Sequence, residues 1–557
     1  MALADIRRGT WASLVRNRRL VYCTAVINMG ALLLGYDSGI AGAVIPLRAF
    51  KYDMGIDGTK VAVATVNSNV VSILFGGAFF GAIFTSWASY YLGRRAAMMY
   101  SMVLFMLGGA LQTAAKNLDW IYGGRFVSGL AVGATSLVAP YYIAEISPTQ
   151  HRARTVGAFQ AFLVAGSLLA YWVTYGCDLH FHPTTTITNP PAGTNTTGTA
   201  DPGAPADPTS SSAHLEFHSA QWRVPMAFQL LPGILFSVLM IGVKESPRWL
   251  AGRGRKEEAI KVLAWLRNVK MEKEDGEQGD SQSDKSSDVV AGSSSPVKQD
   301  GDGTPHLGNI STLSALPNQP RQTRSEQIEA IHAEFAGIQA QLDETRGASI
   351  HELFSRANGK RFVTSTYIAV FHIWTFHTGI LYYAPTVFKA IGFSDTRSAL
   401  LASGVFGVCK FVATVAALAF TINRYGRVTG MVAGTAAHSV LFFILGAILK
   451  TRPPHGGPIT GASIAMMALL YLYVIIYSFG MGPLPWVYSS EIYPLRIREL
   501  GQMWFTSLTW ACNFATSKVT PILFVSLLDV RVEVVADDVH LGQTWVSSFR
   551  WFGREEC

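Results

Sequence analysis

The chain has 557 residues, only 15% of them charged, and a mean hydropathy of +0.26. Soluble domains carry roughly a quarter charged residues, so this composition excludes a soluble globular protein and points to an all-α membrane protein. The net charge of +8 is not a nucleic-acid signal, because the arginines sit mostly beside apolar runs, and no nucleic-acid partner is expected.

The chain opens MALADIRRGTWASLVRNRR, a basic stretch, and the apolar run after it is too long for a signal-peptide core. Residues 1–19 are therefore expected to be an uncleaved N-terminus in the cytoplasm. A run of about 20 apolar residues is long enough to cross a bilayer as a helix. Hydropathy places spans at 20–46, 65–90, 97–115, 119–144, 155–176, 224–243, 361–388, 398–421, 428–449, 462–488 and 500–528. The protein is thus expected to sit in a membrane, most simply the plasma membrane, in many passes. Orientation follows from basic residues near span ends. Arg7, Arg8, Arg16, Arg18 and Arg19 precede the first span, Arg94 and Arg95 follow the second, and Arg152 and Arg154 follow the fourth. Arg424 and Arg427 follow the eighth, and Arg496 and Arg498 the tenth, so these ends face the cytoplasm.

The loop 177–222 then falls outside the cell. It is rich in Thr, Pro and Gly and contains Asn195-Thr196-Thr197, a glycosylation sequon in an accessible place. A second sequon at Asn309 falls on the cytoplasmic side and is discounted. Residues 244–358 form a large cytoplasmic loop whose middle, 271–325, has the polar composition of a disordered segment. Ile328, Ile331, Phe335, Ile338 and Leu342 recur at helical spacing, which predicts an amphipathic helix over 325–346 beneath the bundle. Beyond residue 528, Asp529, Arg531, Glu533, Asp537, Asp538 and His540 interrupt every window, so the tail 529–557 is not expected to span.

The chain repeats itself. EISPTQHR (145–152) follows the fourth span and EIYPLRIR (491–498) follows the tenth; YYLGRR (90–95) follows the second and NRYGRV (423–428) the eighth. Identical landmarks in two halves are a sign of parallel repeats, with a substrate site between them near the midplane. The expected halves are 20–243 and 359–528. The five cysteines, Cys23, Cys177, Cys409, Cys512 and Cys557, show neither metal spacing nor a disulfide framework. With no nucleophile–base constellation either, an enzyme, a metal or another cofactor is not expected.

These landmarks, with GYDSG (35–39), GRFVSGLAVG (124–133), PYYIAEISPTQHR (140–152), KESPRWL (244–250), YYAPTVF (382–388), GPLPW (482–486) and SSEIYPLRIR (489–498), carry a family likeness. The chain resembles the sugar porters of the major facilitator superfamily, and within them the fungal hexose and quinate permeases. The resemblance implies the major facilitator fold, two halves of six spans, here with the twelfth span missing. It implies a small polyhydroxylated substrate, a proton and the lipid bilayer as the partners.

Asp37 lies inside a span, where a carboxylate is expensive and usually functional. A salt bridge or helix-end cap is the blander explanation. Its expected partner is Arg125, in the cytoplasmic-to-middle part of the fourth span. An apolar setting favours the neutral carboxyl and a nearby arginine the ionised one. Family members with aspartate here resemble proton symporters, so the pair is expected to couple transport to a proton. Arg94, Arg95, Glu145, Arg152, Glu245, Arg248, Arg424, Arg427, Glu491 and Arg498 sit at cytoplasmic span ends. Resemblance implies that they lock the two halves together as a gate; plain positive-inside charge is the alternative.

For the substrate, resemblance nominates Gln160, Tyr382, Trp486, Trp510 and Asn513, although packing or an interfacial position also explains each tryptophan. The family's seventh-span pattern, FQQxTGINxxxYYxPxxF, aligns without a gap from Phe371 to Phe388. Its glutamines fall on His372 and Ile373, its asparagine on Thr378, and an eleventh-span asparagine on Thr509. An amide offers two donors and an acceptor, Ile nothing and Thr one hydroxyl. A site without those amides is expected to bind a hexose poorly. Tyr90 and Asn423 stand where the family has acidic residues before GRR and GR, and the second-half PET ending is absent. Three functions follow as expectations: a proton-coupled sugar or polyol carrier, a quinate-type organic acid:proton symporter, or a family member that does not transport, as a sensor or a truncated product.

Overall fold

In the computed structural model the described residues are 17–56, 60–148, 152–181, 184–187, 213–216, 218–269, 323–345, 347, 349–375, 377–393, 396–420, 426–452 and 459–529. Asn195, Arg424, the stretch expected to be disordered up to residue 322, and everything after 529 lie outside them.

Helices occupy all eleven expected positions. The first half holds Arg18–Val44, Lys60–Leu92, Arg94–Thr113, Leu118–Ile146, Arg152–His180 and Ala220–Met240. The second half holds a seventh span in three pieces, Gly359–Ile373, His377–Tyr382 and Ala384–Ala390, followed by Thr396–Phe420 and Arg427–Thr451. Gly461–Phe479 and Leu484–Ile492 make the tenth span, and Arg498–Asp529 the eleventh. Among the described helices, nine are long and apolar enough to cross a membrane by length and composition. The seventh fails because it is broken. The eleventh carries Thr506, Ser507, Thr509, Asn513, Thr516, Ser517 and Thr520 along its length, which dilutes its hydropathy. Large apolar side chains such as Phe84, Trp87, Val103 and Val238 are more than half exposed, the surface a bilayer would cover. One departure from an all-helical chain is a short hairpin, in which Thr184–Ile187 pairs antiparallel with Ala213–Glu216.

Local chemistry sets the ends of these helices. Asn117 accepts a hydrogen bond from the Trp120 N–H at 3.2 Å, and Thr460 does the same for Ser463 at 3.3 Å, the usual work of a side-chain N-cap. In KESPRWL, Ser246 caps the helix Pro247–Gly252 through the Trp249 N–H at 3.3 Å, and Pro247 takes the first helical position. The second and third spans join at Gly93, whose φ of 98° suits glycine. A Cβ there would lie 2.5 Å from Glu245 Oε2, so the motif residue Gly93 makes room for the motif residue Glu245.

Small residues let the spans approach. A Cβ on Gly129 would meet the Leu74 carbonyl oxygen at 2.2 Å, and one on Gly133 the Ala78 oxygen at 2.0 Å. This small-xxx-small edge seats the fourth span on the second. The halves meet along two seams, the second span on the eleventh and the fifth on the eighth. Off the bundle, Arg324–Thr345 is the predicted amphipathic helix: Ile331 and Phe335 are buried against Leu250, Ala259, Leu263 and Ala264.

Candidate functional site

Asp37 and Arg125 have no exposed side-chain surface, and Arg125 Nη1 donates to Asp37 Oδ1 at 3.0 Å and to its carbonyl at 2.7 Å. Gln112 Nε2 donates to Ser128 Oγ at 3.1 Å beside them. Asp37 Oδ2, Gln112 Oε1, and Arg125 Nε and Nη2 find no partner. The pair is therefore real but under-satisfied, which a static cap is not. One expectation needs correcting. Arg125 stands in the second turn of Leu118–Ile146, whereas Glu145 lies in its last turn. The arginine is thus near the end of the bundle opposite Arg94 and Glu145, because the fourth span starts at that opposite end.

The nominated substrate residues gather at mid-depth, with exceptions. Trp510 Nε1 donates to Ser136 Oγ at 2.9 Å, bridging the eleventh and fourth spans, and its ring stacks on Phe75 at 5.7 Å. Phe75 also lies 5.1 Å from Tyr382. Thr509 Oγ1 is buried without a partner, and the Asn513 amide donates to the Thr509 carbonyl at 3.0 Å. Gln160 is half-buried on the fifth span. His372 and Ile373 are buried; His372 lies parallel to Phe505 at 6.2 Å and edge-on to Trp486 at 6.5 Å. The Thr378 side chain lies outside the described residues. The tenth-span break falls at 480–483, and Trp486 sits in the first turn of the helix that follows.

A second polar cluster lies in the second half, mostly on residues outside those nominated from the sequence. Lys410, on the eighth span, is 1% exposed, and its Nζ lies 2.8 Å from His377 Nε2. His377 stacks flat on Tyr477 at 3.7 Å. His438, buried on the ninth span with neither ring nitrogen partnered, packs on Tyr473 at 4.5 Å. Tyr473 donates at 2.9 Å to the Thr375 carbonyl at the seventh-span break, which helps to hold that unwound backbone where it is buried in protein.

The charged end is organised around Arg94. Its guanidinium takes both oxygens of Glu145, at 3.1 and 2.9 Å, and reaches Glu499 at 2.8 Å. Glu245 accepts from the backbone N–H groups of Arg94 at 3.0 Å, Arg95 at 3.1 Å and Ser246 at 2.8 Å. Burial pushes the Glu245 carboxyl above its ordinary range, and those N–H groups pull it back. Arg427 pairs with Glu491 at 3.1 Å. Arg152, Arg248 and Arg498 instead approach one another closely enough to repel; Arg248 donates to Gln341 and Arg498 to the Tyr493 carbonyl. The repeated Glu-Arg motifs therefore do not pair between halves. Among the described residues two ion pairs cross the seam, Arg94–Glu499 at 2.8 Å and, at the opposite end, Arg397–Asp178 at 3.6 Å; Glu499 lies outside the residues expected to form the gate.

A family profile described as "Sugar (and other) transporter" matches residues 23–300 and 313–535. The chain belongs to the sugar (and other) transporter family. Among its relatives are a probable quinate permease of Neosartorya fischeri, 30% identical over 525 residues, and a quinate permease of Neurospora terricola, 27% identical over 523 residues. Each alignment covers 92% of this chain, with 81% and 82% of the relative. Of solved structures, the proton:xylose symporter XylE bound to 6-bromo-6-deoxy-D-glucose superposes with a TM-score of 0.66 at 21% identity, covering 96% of both chains. XylE from E. coli in a partially occluded inward-open conformation gives 0.63 at 21% identity, over 90% of this chain and 91% of that one. These likenesses establish the major facilitator fold, and the transporter is a multi-pass membrane protein. Against that family frame, Lys410 is the residue whose signal was legible: it is the single charge between Leu400 and Phe420 in an apolar span.

Proposed function

We propose that this transporter carries a polyhydroxylated small molecule by alternating access and that the Asp37–Arg125 pair couples the movement to a proton. The observation that carries this reading is a wholly buried carboxylate with one oxygen unpartnered, facing an arginine with two unpartnered nitrogens. Such a pair has two arrangements, ionised and bridged or neutral and released, and a proton selects between them. The N-terminus lies in the cytoplasm, on the positive-inside pattern of its arginines, and the plasma membrane is the proposed location. Arg94, Arg95, Glu145, Glu245 and Glu499 close the cytoplasmic end, and Asn195 carries a glycan outside. Tyr382, Trp510, Asn513 and Gln160 contact the substrate, with His372, Ile373, Thr378, Thr509 and Trp486 around them. The halves act as units 20–243 and 359–528, joined by 244–358.

Two features favour a polyhydroxylated acid over a hexose. The relatives are named quinate permeases, and the amides expected at 372, 373, 378 and 509 are His, Ile, Thr and Thr. Asp37→Asn tests the coupling. Uphill accumulation is expected to vanish while exchange of labelled for unlabelled substrate continues; unchanged accumulation in that variant would sink the assignment.

A further inference from the structure

Among the described residues, the second half buries nitrogen bases with no acid against them. Lys410 Nζ and His377 Nε2 lie 2.8 Å apart, and the titratable groups that interact with His377 are Lys410, His372 and His438, all basic. Among the described residues no carboxylate interacts with Lys410. His438 has both ring nitrogens buried and unpartnered. These groups come from the seventh, eighth and ninth spans and converge beside the seventh-span break that follows Ile373. No group of three acidic, histidine or cysteine side chains among the described residues is spaced for a metal ion. A bilayer interior tolerates a lysine only where a counter-charge or a polar cavity meets it, and the described residues supply no counter-charge.

We infer that the cargo supplies it: Lys410, with His377 and His438, binds the carboxylate of a polyhydroxylated acid. Tyr477 and Tyr382 are placed for the rest of the molecule. Tyr477 stacks on His377, and Tyr382 lies close enough to interact with Tyr477 on one side and with Asp37 on the other. The carboxylate end thus sits in the second half, and the hydroxyl-bearing ring points across the seam toward the proton pair. A lysine ammonium and a protonated imidazole give charge-assisted hydrogen bonds to a carboxylate, and the lysine, a donor with no acceptor, cannot replace the paired donor and acceptor with which an amide holds sugar hydroxyls.

This inference rests on the transport reading above, so the test separates the two. Purified full-length protein is titrated with quinate, with quinate methyl ester and with xylose, reading the melting temperature, while uptake of the same solutes is measured in proteoliposomes. Quinate is expected to bind at least about tenfold more tightly than its neutral ester, the loss expected from one charge-assisted bond. Lys410→Gln is expected to abolish that preference and Lys410→Arg to keep part of it. Equal binding of acid and ester, or an undiminished preference in Lys410→Gln, overturns the carboxylate site; xylose uptake in that case leaves the transport reading standing. A folded wild type that neither binds nor moves any of these solutes overturns both. Should Lys410→Gln fail to fold, the wild-type comparison of acid with ester decides.

Discussion

Taking both charges of the Asp37–Arg125 pair out of water costs several kcal/mol per ion, which their attraction offsets only while both are present. Arg125→Gln strands a carboxylate with no exposed surface, and the expected loss is about 3–5 kcal/mol of stability. The double variant Asp37→Asn/Arg125→Gln removes both charges and is expected to recover most of it. Melting temperatures of the three variants check this, since an additive double variant would mean that the two side chains act independently. Glu245 presents a milder case. Glu245→Gln keeps one acceptor for the Arg94, Arg95 and Ser246 N–H groups, whereas Glu245→Ala keeps none. Alanine is expected to cost about 1–3 kcal/mol more than glutamine. By contrast, Glu352 is partly exposed at the surface, and Arg496 holds its carboxyl below the ordinary range. Such a pair contributes little, and Glu352→Gln is expected to leave the melting temperature unchanged.

At the scale of elements, close approach between spans depends on particular glycines. Gly133→Ala places a Cβ 2.0 Å from the Ala78 carbonyl oxygen, and overpacking of this kind costs about 1–3 kcal/mol. Gly123, one turn from the start of the same helix, has nothing within 4 Å of its would-be Cβ. Gly123→Ala is therefore expected to be neutral or slightly stabilising, by up to about 1 kcal/mol through helix propensity. Thermal stability of the two variants side by side separates interface packing from propensity. Span positions were legible because twenty-residue hydrophobicity is a strong signal, and so was the amphipathic helix 324–345, from Ile331 and Phe335. The breaks after Ile373 and at 480–483 are harder to read. The tenth has its Gly and Pro, but the seventh breaks after Ile373, where neither Trp374 nor Thr375 demands it and the Tyr473–Thr375 bond between spans supports the break.

For the whole molecule, the seam is fastened at both ends and in the middle. Arg94–Glu499 closes one end. At the other, Gly42 abuts the Tyr382 carbonyl so closely that a Cβ would lie 1.9 Å from its oxygen, and the Tyr171 hydroxyl donates to the Leu381 carbonyl. Trp510–Ser136 holds the centre. Glu499→Gln is expected to loosen the Arg94 end and raise the labelling rate of a single cysteine introduced beneath it, with the opposite end unaffected. Glu145 is nearly buried with Arg94 while Glu491 is half-exposed with Arg427, so the two copies of the repeated motif do different work. Glu145→Gln is expected to impair folding or transport more than Glu491→Gln. The repeat was legible as a pattern, but pairing across the seam depends on which helix ends meet, and a motif does not encode that. Glu499 follows the repeated motif by one residue and so escaped notice. Lys410 carries the same signal as Asp37, a charge within an apolar span, but it lies outside every repeated landmark.

Coupling between solute and proton is the claim on which the rest depends. The direct measurement is of pH change outside proteoliposomes on addition of quinate or a sugar, alongside uptake of the same solute, for the wild type and Asp37→Asn. Solute entry accompanied by external alkalinisation in the wild type, and entry without it in the variant, is the expected result. Solute entry without proton movement in the wild type would contradict it.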